Sequence, residues 1–454
     1  MKLLLSRAIA VLVLSILLVT GLVVFGINYV NKASTWAQYP VNAHLYRDGL
    51  LKVSGKIYDR KGNILFQIQD GKKKFSTNKS VRTSLMHATG DLYGNVSTGA
   101  QVAFRGRLSG WNIINGAYRF NLKNNTQGHD LKLTLDSDLC VTAYNALNGR
   151  KGTVGVYNYK TGEIICMVSS PSFDPENPPD VSKDSEKYSG VYLNRLLSAV
   201  YTPGSVFKLI TAEAAIDNIA NITDAVYHCE GEIEINGVMV TCPSKHGDVT
   251  LEKALAHSCN VAFGQIALEL GGKTLQKYAE KAGFNKELKI DGIDIAKGTA
   301  EISDAEGGDL AWAGIGQYTL TANPLKMMAY AGAIANGGIG VQPRLIYKDD
   351  NSLIPNLSLN KRVLNEDTAQ TLGKMMRNAV ITSYGEDNYK GLNLCAKSGT
   401  AEVGEDKRPH SWFVGYMERE DYPLAFVVVV ENGGSGSKVA GQVASTVIKK
   451  AVSN

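Results

Sequence analysis

The sequence predicts an α+β chain. One antiparallel sheet is built from both ends of a large domain, with a helical insertion between; a small N-terminal domain and one transmembrane helix come first. Three observations predict this. An uncharged apolar span, Ala8–Tyr29, is long enough to cross a bilayer. Two strand-like runs lie near residue 160 and three more after residue 390, each group joined by short turns. Between the groups, apolar residues recur at helical spacing.

The apolar span holds 22 residues without a charge. Lys2 and Arg7 precede it, so residues 1–7 are expected in the cytoplasm, 8–30 in the plasma membrane and the rest outside. A cleaved signal peptide would carry a shorter apolar region, about 7–15 residues, and a small-residue cleavage site. Asn28-Tyr-Val-Asn-Lys32 is a poor site, so the better reading is an uncleaved anchor. The chain has 454 residues, of which 44% are hydrophobic and 20% charged, an ordinary folded composition. Its net charge of +5 is spread along the chain and calls for no nucleic acid.

Residues 31–130 are expected to form the small N-terminal domain, a pedestal for the rest. Gly55–Leu65 reads as strand–turn–strand, and Lys72-Lys73-Lys74 as a solvated loop. Residues 131–454 form the large domain. Leu131–Leu135 alternates like a strand and leads into a helix over Asp136–Leu147. Thr153–Asn158 and Glu163–Ser169 are strands joined by Tyr159-Lys-Thr-Gly162. A helix is expected to open at Ser205, after the Pro203-Gly204 turn, and to run to about Asn218. Leu251–Leu270 has continuous helical spacing. Residues Leu310–Asn336 read as a loop and then a tightly packed helix from Pro324, and Glu366–Val380 as an amphipathic helix. Leu394–Glu402, Ser411–Met417 and Leu424–Glu431 are strands, and Ala440–Val452 closes the chain as a helix.

Six cysteines are present. Cys229 and Cys242 bracket Glu232–Thr241, a hairpin centred on Asn236-Gly237 that brings them near each other. A disulfide between them is plausible outside the cell. The other four read as buried small hydrophobes. No C-x-x-C spacing and no helical histidine pair suggests a metal, so neither metal nor cofactor is expected.

The chemistry is expected around Ser205. A serine hydroxyl needs a neighbouring base to become a nucleophile. Lys208, three residues on, falls on the same helical face and can serve if burial or a second cation lowers its pKa. Backbone N–H groups at the start of the helix can face a developing oxyanion. The pattern alone is weak. Ser-x-x-Lys starts at Ser76, Ser205, Ser358 and Ser435, and each match by itself reads as a helix cap followed by a solvated lysine. Ser-x-Asn likewise occurs at Ser76 and Ser358, and Lys160-Thr161-Gly162 is explained by a hairpin turn. Ser205 stands out by its company. Ser205-x-x-Lys208 is followed in order by Ser258-x-Asn260 in a helical region and by Lys397-Ser398-Gly399-Thr400 on a strand.

This ordered trio resembles that of the class B penicillin-binding proteins, membrane-anchored peptidoglycan transpeptidases. Asn194–Lys208 is similar to the family's nucleophile segment; Gly155–Pro175, Ala313–Gln317 and Lys397–Glu402 are similar to other segments. Tyr58-Asp59-Arg60 with Gly62 resembles its N-terminal domain. The resemblance implies a transpeptidase/β-lactamase-like fold. It implies that Ser205 attacks the penultimate D-Ala of a stem peptide, with Lys208 as general base and Ser258 relaying a proton to the leaving amine. Asn260 would bond the substrate amide. Lys397, Ser398 and Thr400 would hold the substrate carboxylate, and the N–H groups of Ser205 and Thr400 would form the oxyanion hole. Penicillin, an imitation of the donor, would leave a long-lived adduct. Cys259 and Ser398 depart from the strict S-D-N and K-T-G forms, and Ser398 keeps the hydroxyl.

Other readings compete with this one. A β-lactamase of class A would need a Glu followed four residues later by Asn, and no Glu between Asn260 and Lys397 has one. A D,D-carboxypeptidase would share the whole trio. A β-lactam sensor would need a cytoplasmic signalling region, and a scaffold would not need the trio intact. The expected partners are stem peptides, β-lactams, the membrane and a membrane glycan polymerase of the shape, elongation, division and sporulation type.

Overall fold

The computed structural model describes residues 2–36, 46–47, 50–51, 54–69, 71–108, 128–347, 360–404 and 407–453. Of the Ser-x-x-Lys matches, Ser358 lies outside these residues. Lys79 and Lys438, which complete the matches at Ser76 and Ser435, are both exposed, as solvated lysines should be.

Helix α1 (Lys2–Trp36) carries the anchor. Among the described residues it is the one helix long and apolar enough to cross a membrane. Its segment Leu5–Asn28 has a mean hydropathy of 3.0 and buries nothing against the rest of the chain.

A four-stranded sheet follows, made of β1 (Ile57–Tyr58), β2 (Ile64–Gln69), β3 (Lys72–Phe75) and β4 (Leu131–Lys132), in the order β3-β2-β1-β4. The β1–β2 turn is held by Asp59, fully buried, whose Oδ1 accepts the N–H groups of Lys61 (2.9 Å) and Asn63 (2.8 Å). Its Oδ2 accepts the hydroxyl of Ser137 at 2.7 Å, which ties the turn to the large domain. The run Lys72-Lys73-Lys74 is not the solvated loop expected from its charge. It forms the edge strand β3, where lysines blunt an unpaired edge, and Lys73 Nζ donates to the Leu92 carbonyl at 2.8 Å. β4 pairs in parallel with β1, so this sheet takes its last strand from residues just past 130.

Helix α2 (Ser137–Leu147) is capped by Asp136, whose Oδ1 accepts the N–H groups of Asp138 and Leu139, both at 3.0 Å. Strands β5 (Gly152–Asn158) and β6 (Ile164–Ser170) follow. Between them Lys160-Thr161-Gly162 is a turn, with Asn158 Oδ1 accepting from the N–H groups of Lys160 and Thr161. The insertion contains helices α3 (Lys208–Asn218), α4 (Leu251–His257), α5 (Asn260–Leu270), α6 (Gly307–Gly314), α7 (Pro324–Ala335) and α8 (Glu366–Ala379). Between α3 and α4 come β7 (Val226–Cys229), β8 (Glu232–Ile235), β9 (Val238–Thr241) and β10 (Gly247–Thr250). β8 and β9 are the expected hairpin, with Asn236 and Gly237 both at positive φ, while β7 pairs with β10.

Strands β11 (Leu394–Ala401), β12 (His410–Met417) and β13 (Leu424–Val430) and helix α9 (Gly441–Val452) close the chain. The main sheet has the order β11-β12-β13-β5-β6, antiparallel throughout, with Val428 opposite both Phe413 and Val154. The two ends of the domain thus meet in one sheet, as expected. Every residue of β13 is buried, so helices must cover both faces. Gly155 and Tyr157 of β5 face α7, at Met328 and Gly332, while Phe413 faces α9 at Gly441. One apolar core runs from Ile57 in the N-terminal sheet to Ile448 in α9.

Candidate active site

Ser205 does not open the α-helix. It sits in a 3-10 turn, Gly204–Val206, and α3 begins at Lys208. The turn is pinned from three sides. Gly204 N–H donates to Gly316 O at 2.8 Å, and the Trp412 indole N–H donates to Thr202 O at 3.0 Å. Gly399 of β11 lies so close that a Cβ there would meet Pro203 O and Val206 Cγ1, each at 3.0 Å. Gly316 itself has φ +86°, and a Cβ on it would stand 1.9 Å from Gly204 O. Only glycine fits there. The end of α6 and the loop after it, residues 315–317, are therefore a clasp on the turn that carries Ser205.

The continuous helix expected over Leu251–Leu270 is broken at the motif. α4 ends and α5 starts on either side of Ser258, which adopts the left-handed conformation (φ 57°, ψ 40°). For a residue with a Cβ this costs about 1–2 kcal/mol. The break turns both oxygens of Ser258 toward Lys208. Nζ of Lys208 lies 2.7 Å from Ser258 O, 3.1 Å from Ser258 Oγ, 2.7 Å from Asn260 Oδ1 and 3.2 Å from Ser205 Oγ. Asn260 Nδ2 donates to Thr241 O at 2.7 Å. Its amide, expected to bond substrate, here joins the lysine to the β8–β9 hairpin.

Lys397 stands on β11, the edge strand of the main sheet. Its Nζ lies 3.1 Å from Ser258 Oγ and donates to Ser398 O at 2.8 Å. Ser398 N–H donates to the Tyr384 hydroxyl at 3.0 Å, so it points away from β12. Thr400, two residues on, shares that orientation, and its N–H faces the open edge. Gly436 N–H reaches Thr400 Oγ1 at 3.4 Å. Ser205, Ser258, Asn260, Ser398, Thr400 and Glu402 line one cleft with a volume of about 310 Å3.

Both lysines are fully buried. Burial pushes Lys208 well below its ordinary value, and the charge of Lys397 pushes it the same way. Burial alone lowers Lys397 to about 7. Desolvation therefore leads, and the neighbouring cation adds to it. A neutral lysine amine has two N–H donors and one lone pair. At Lys208 the two 2.7 Å acceptors can take the donors, which leaves the lone pair for the Ser205 hydroxyl. The arrangement can deprotonate Ser205 and hold an oxyanion between two backbone N–H groups.

The sequence missed three neighbours of this site: Tyr384 against Ser398, Trp412 against Thr202, and the cysteine cluster behind Asn260. Tyr384 and Trp412 carry no signal beyond being aromatic. Cys229 and Cys242 do come together, with their Sγ atoms 3.7 Å apart as free thiols. Cys259 is buried, as expected, but it also has a polar neighbour, its Sγ lying 3.7 Å from that of Cys242. The spacing Cys242-x-x-x-His246 was the available signal.

The geometry fits serine acyl transfer, with a buried lysine beside the serine, on a sheet built from both ends of its domain. Residues 152–449 match the penicillin binding protein transpeptidase domain. The chain belongs to the penicillin-binding protein transpeptidase family, in its class B. It is 29% identical over 327 residues to the peptidoglycan D,D-transpeptidase PbpA of Mycobacterium tuberculosis H37Rv, covering 66% of each chain. It is 30% identical over 342 residues to penicillin-binding protein 3 of Bacillus subtilis 168, covering 69% of this chain and 50% of the relative. Among solved structures it resembles penicillin-binding protein A from M. tuberculosis in its ceftriaxone acyl-enzyme complex. The TM-score is 0.76 and the identity 25%, over 88% of this chain and 98% of the other.

Proposed function

We propose that the protein is a peptidoglycan D,D-transpeptidase that works through an acyl-enzyme on Ser205. The single observation that carries this is Lys208 Nζ, fully buried and 3.2 Å from Ser205 Oγ with two shorter acceptors beside it. Lys208 takes the hydroxyl proton as Ser205 attacks the carbonyl of the penultimate D-Ala. The N–H groups of Ser205 and Thr400 hold the oxyanion. Ser258, between the two lysines, passes a proton to the leaving amine, and the terminal D-Ala departs. Ser398 and Thr400, with the field of Lys397, hold its carboxylate. An amine of a neighbouring strand then takes the acyl group and frees Ser205.

The test is the intact mass of the full chain in detergent after incubation with benzylpenicillin. One adduct that persists for hours and is absent in Ser205→Ala is expected. Rapid loss of the drug without an adduct would move the reading to a β-lactamase. Release of D-Ala with water alone as acceptor would make it a carboxypeptidase.

In this reading α1 is a single-pass anchor, with Lys2 and Arg7 on the cytoplasmic side and residues 31–130 as a pedestal beneath the catalytic domain 131–454. A membrane glycan polymerase would supply the strands to be joined, docked through α1 and the pedestal. Co-purification in mild detergent tests this, with a chain carrying a foreign anchor as control; a polymerase recovered equally with both would remove α1 from the interface.

A further inference from the structure

A second cavity, of about 260 Å3, opens beside α7 and shares no lining residue with the cleft. Its walls come from α7, from the turn after Lys281 and from the strand pair Ile339–Gly340 and Lys361–Arg362. Leu288, Ala333, Val341, Pro343 and Val363 make them apolar. Lys326 lies at the floor, 6% exposed, and its Nζ donates to the carbonyls of Gly283 (3.0 Å), Lys286 (2.5 Å) and Lys297 (2.7 Å). Its three N–H donors are thus used, yet among the described residues no carboxylate pairs with it. Burial, with the charge of Lys297, lowers it only to about 8, so it is still charged at neutral pH.

A buried charge is ordinarily paired, because it has left water without a substitute. The rim adds to the imbalance. Lys281, Lys286 and Lys361 stand exposed around the mouth, and among the described residues none of them makes an ion pair. Nearby Lys289 and Arg362 do, with Asp294 at 2.9 Å and with Glu366 at 3.9 Å. Lys281 Nζ lies over the Tyr278 ring, 4.1 Å from its centre. Glu287 is the one carboxylate in the lining, so four cations face one anion. An exposed lysine alone is a solvated side chain. A buried lysine without a counter-ion, beneath an apolar hollow ringed by three more, is the setting for an anion. The inner wall also reaches the catalytic helix. Tyr330 lines the cavity, and its hydroxyl donates to Glu213 Oε2 at 2.7 Å and lies 3.5 Å from Leu209 O, both on α3. Glu213 is fully buried, and its Oε1 has no partner among the described residues. α3 begins at Lys208.

We propose that this cavity is a regulatory site for a small amphipathic anion, an apolar body that carries one carboxylate or phosphate. The volume is just below the roughly 300–1,000 Å3 of pockets for drug-sized molecules, so the ligand is small. The apolar body fills the space between α7 and the strand pair. The anionic group faces the four lysines: Lys326 supplies charge alone, since its donors are taken, and the rim lysines supply the hydrogen bonds. A body packed on the Tyr330 ring limits its motion and keeps its hydroxyl on Glu213. That steadies α3 and the Lys208 amine at its start, so bound ligand speeds acylation of Ser205.

The test uses the full chain in phosphatidylcholine nanodiscs, with 1-naphthaleneacetate as probe and its neutral amide as control. Titration calorimetry is expected to find one site that takes the carboxylate roughly tenfold more tightly than the amide, the worth of a few exposed charge contacts. Lys281→Gln, Lys286→Gln and Lys361→Gln together, all at exposed positions, should erase that preference while the chain stays folded. Saturating probe should speed benzylpenicillin acylation by roughly fivefold. Tyr330→Phe keeps the ring and should bind the probe without the acceleration. No binding, or equal binding of carboxylate and amide, would overturn the proposal. So would binding that leaves acylation unchanged. Loss of the site in discs that contain phosphatidylglycerol would assign it to a lipid headgroup and overturn a soluble ligand. The coupling to Ser205 rests on the acyl-transfer reading. The binding does not, and it is measured equally in Ser205→Ala, so the two can fail separately.

Discussion

Ser258 Oγ stands 3.1 Å from Nζ of Lys208 and 3.1 Å from Nζ of Lys397. One hydroxyl thus bridges the two buried lysine amines, and a proton can pass between them through it. If that bridge carries the proton to the leaving amine, Ser258→Ala should lower D-Ala release by about 10²–10⁴-fold, the usual worth of a positioned proton carrier. The fold should survive, because Ser258 is half-exposed and the change removes one hydroxyl while leaving its backbone carbonyl against Lys208. Release of D-Ala from a stem-peptide analogue measures it; an unchanged rate would assign the proton to solvent.

The two lysines also set a pH profile. In the proposed reaction Lys208 must be neutral to accept the Ser205 proton, and burial holds it well below its ordinary value. In the same reaction Lys397 must be charged to attract the substrate carboxylate, and burial lowers it to about 7. Acylation should therefore rise with pH as Lys208 deprotonates and fall as pH passes through about 7, where Lys397 neutralises. The limbs belong to the coupled pair. A bound carboxylate favours charged Lys397, so kcat should keep its alkaline activity to higher pH than kcat/KM. Single-turnover acylation across the pH range checks both limbs, and a profile that only rises would remove Lys397 from substrate binding.

The sheet was legible because β5, β6 and β11–β13 are dense in β-branched and aromatic residues and are bounded by turn residues. The trio was legible because its chemistry demands those residue types and because their order along the chain is that of the resembled family. The break at Ser258 was not. The apolar spacing of Leu251–Leu270 continues across it, and nothing in Ser-Cys-Asn marks a left-handed residue. The 3-10 turn at Ser205 was hidden for a related reason, since one tightened turn leaves the helical period almost unchanged. The Lys72–Lys74 strand was masked by its charge, which at a sheet edge is protection and not a sign of a loop. The sulfur cluster draws on four separate segments, with 12, 3 and 12 residues between its members, so no local motif announced it.

The glycine clasp gives a structural prediction. Gly316→Ala places a methyl group 1.9 Å from Gly204 O and asks alanine to adopt φ +86°. The loop or the nucleophile turn has to move. A loss of roughly 1–3 kcal/mol of stability is expected for the strained backbone alone, read by thermal denaturation. Acylation should fall by more than the small decrease in folded fraction explains, because the displaced turn carries Ser205. Full acylation at the wild-type rate would show that the loop merely packs near the site.

The last prediction concerns how the N-terminal region is held to the catalytic domain. Arg82 clamps Asp174 with both arms of its guanidinium, Nε to Oδ1 at 2.6 Å and Nη2 to Oδ2 at 2.8 Å. Both side chains are largely buried, at 11% and 7% exposure. The bond to Arg82 is the main reason that the Asp174 carboxyl is held down to about 2. A depressed carboxyl stabilises the fold above its unfolded value, and that share is lost as pH falls from about 4 toward 2. Arg82→Ala would leave the carboxylate buried with only the N–H groups of Glu176 and Asn177 for partners. A cost of about 2 kcal/mol is expected at neutral pH. Asp174→Asn should cost less, because it removes the buried charge and keeps a hydrogen-bonding oxygen. Thermal denaturation of both variants at pH 7 and again at pH 3 checks this. The Arg82→Ala deficit should shrink at the lower pH, where protonation begins to remove the stranded charge. A deficit that stays constant with pH would mean that Arg82 acts through its packing alone.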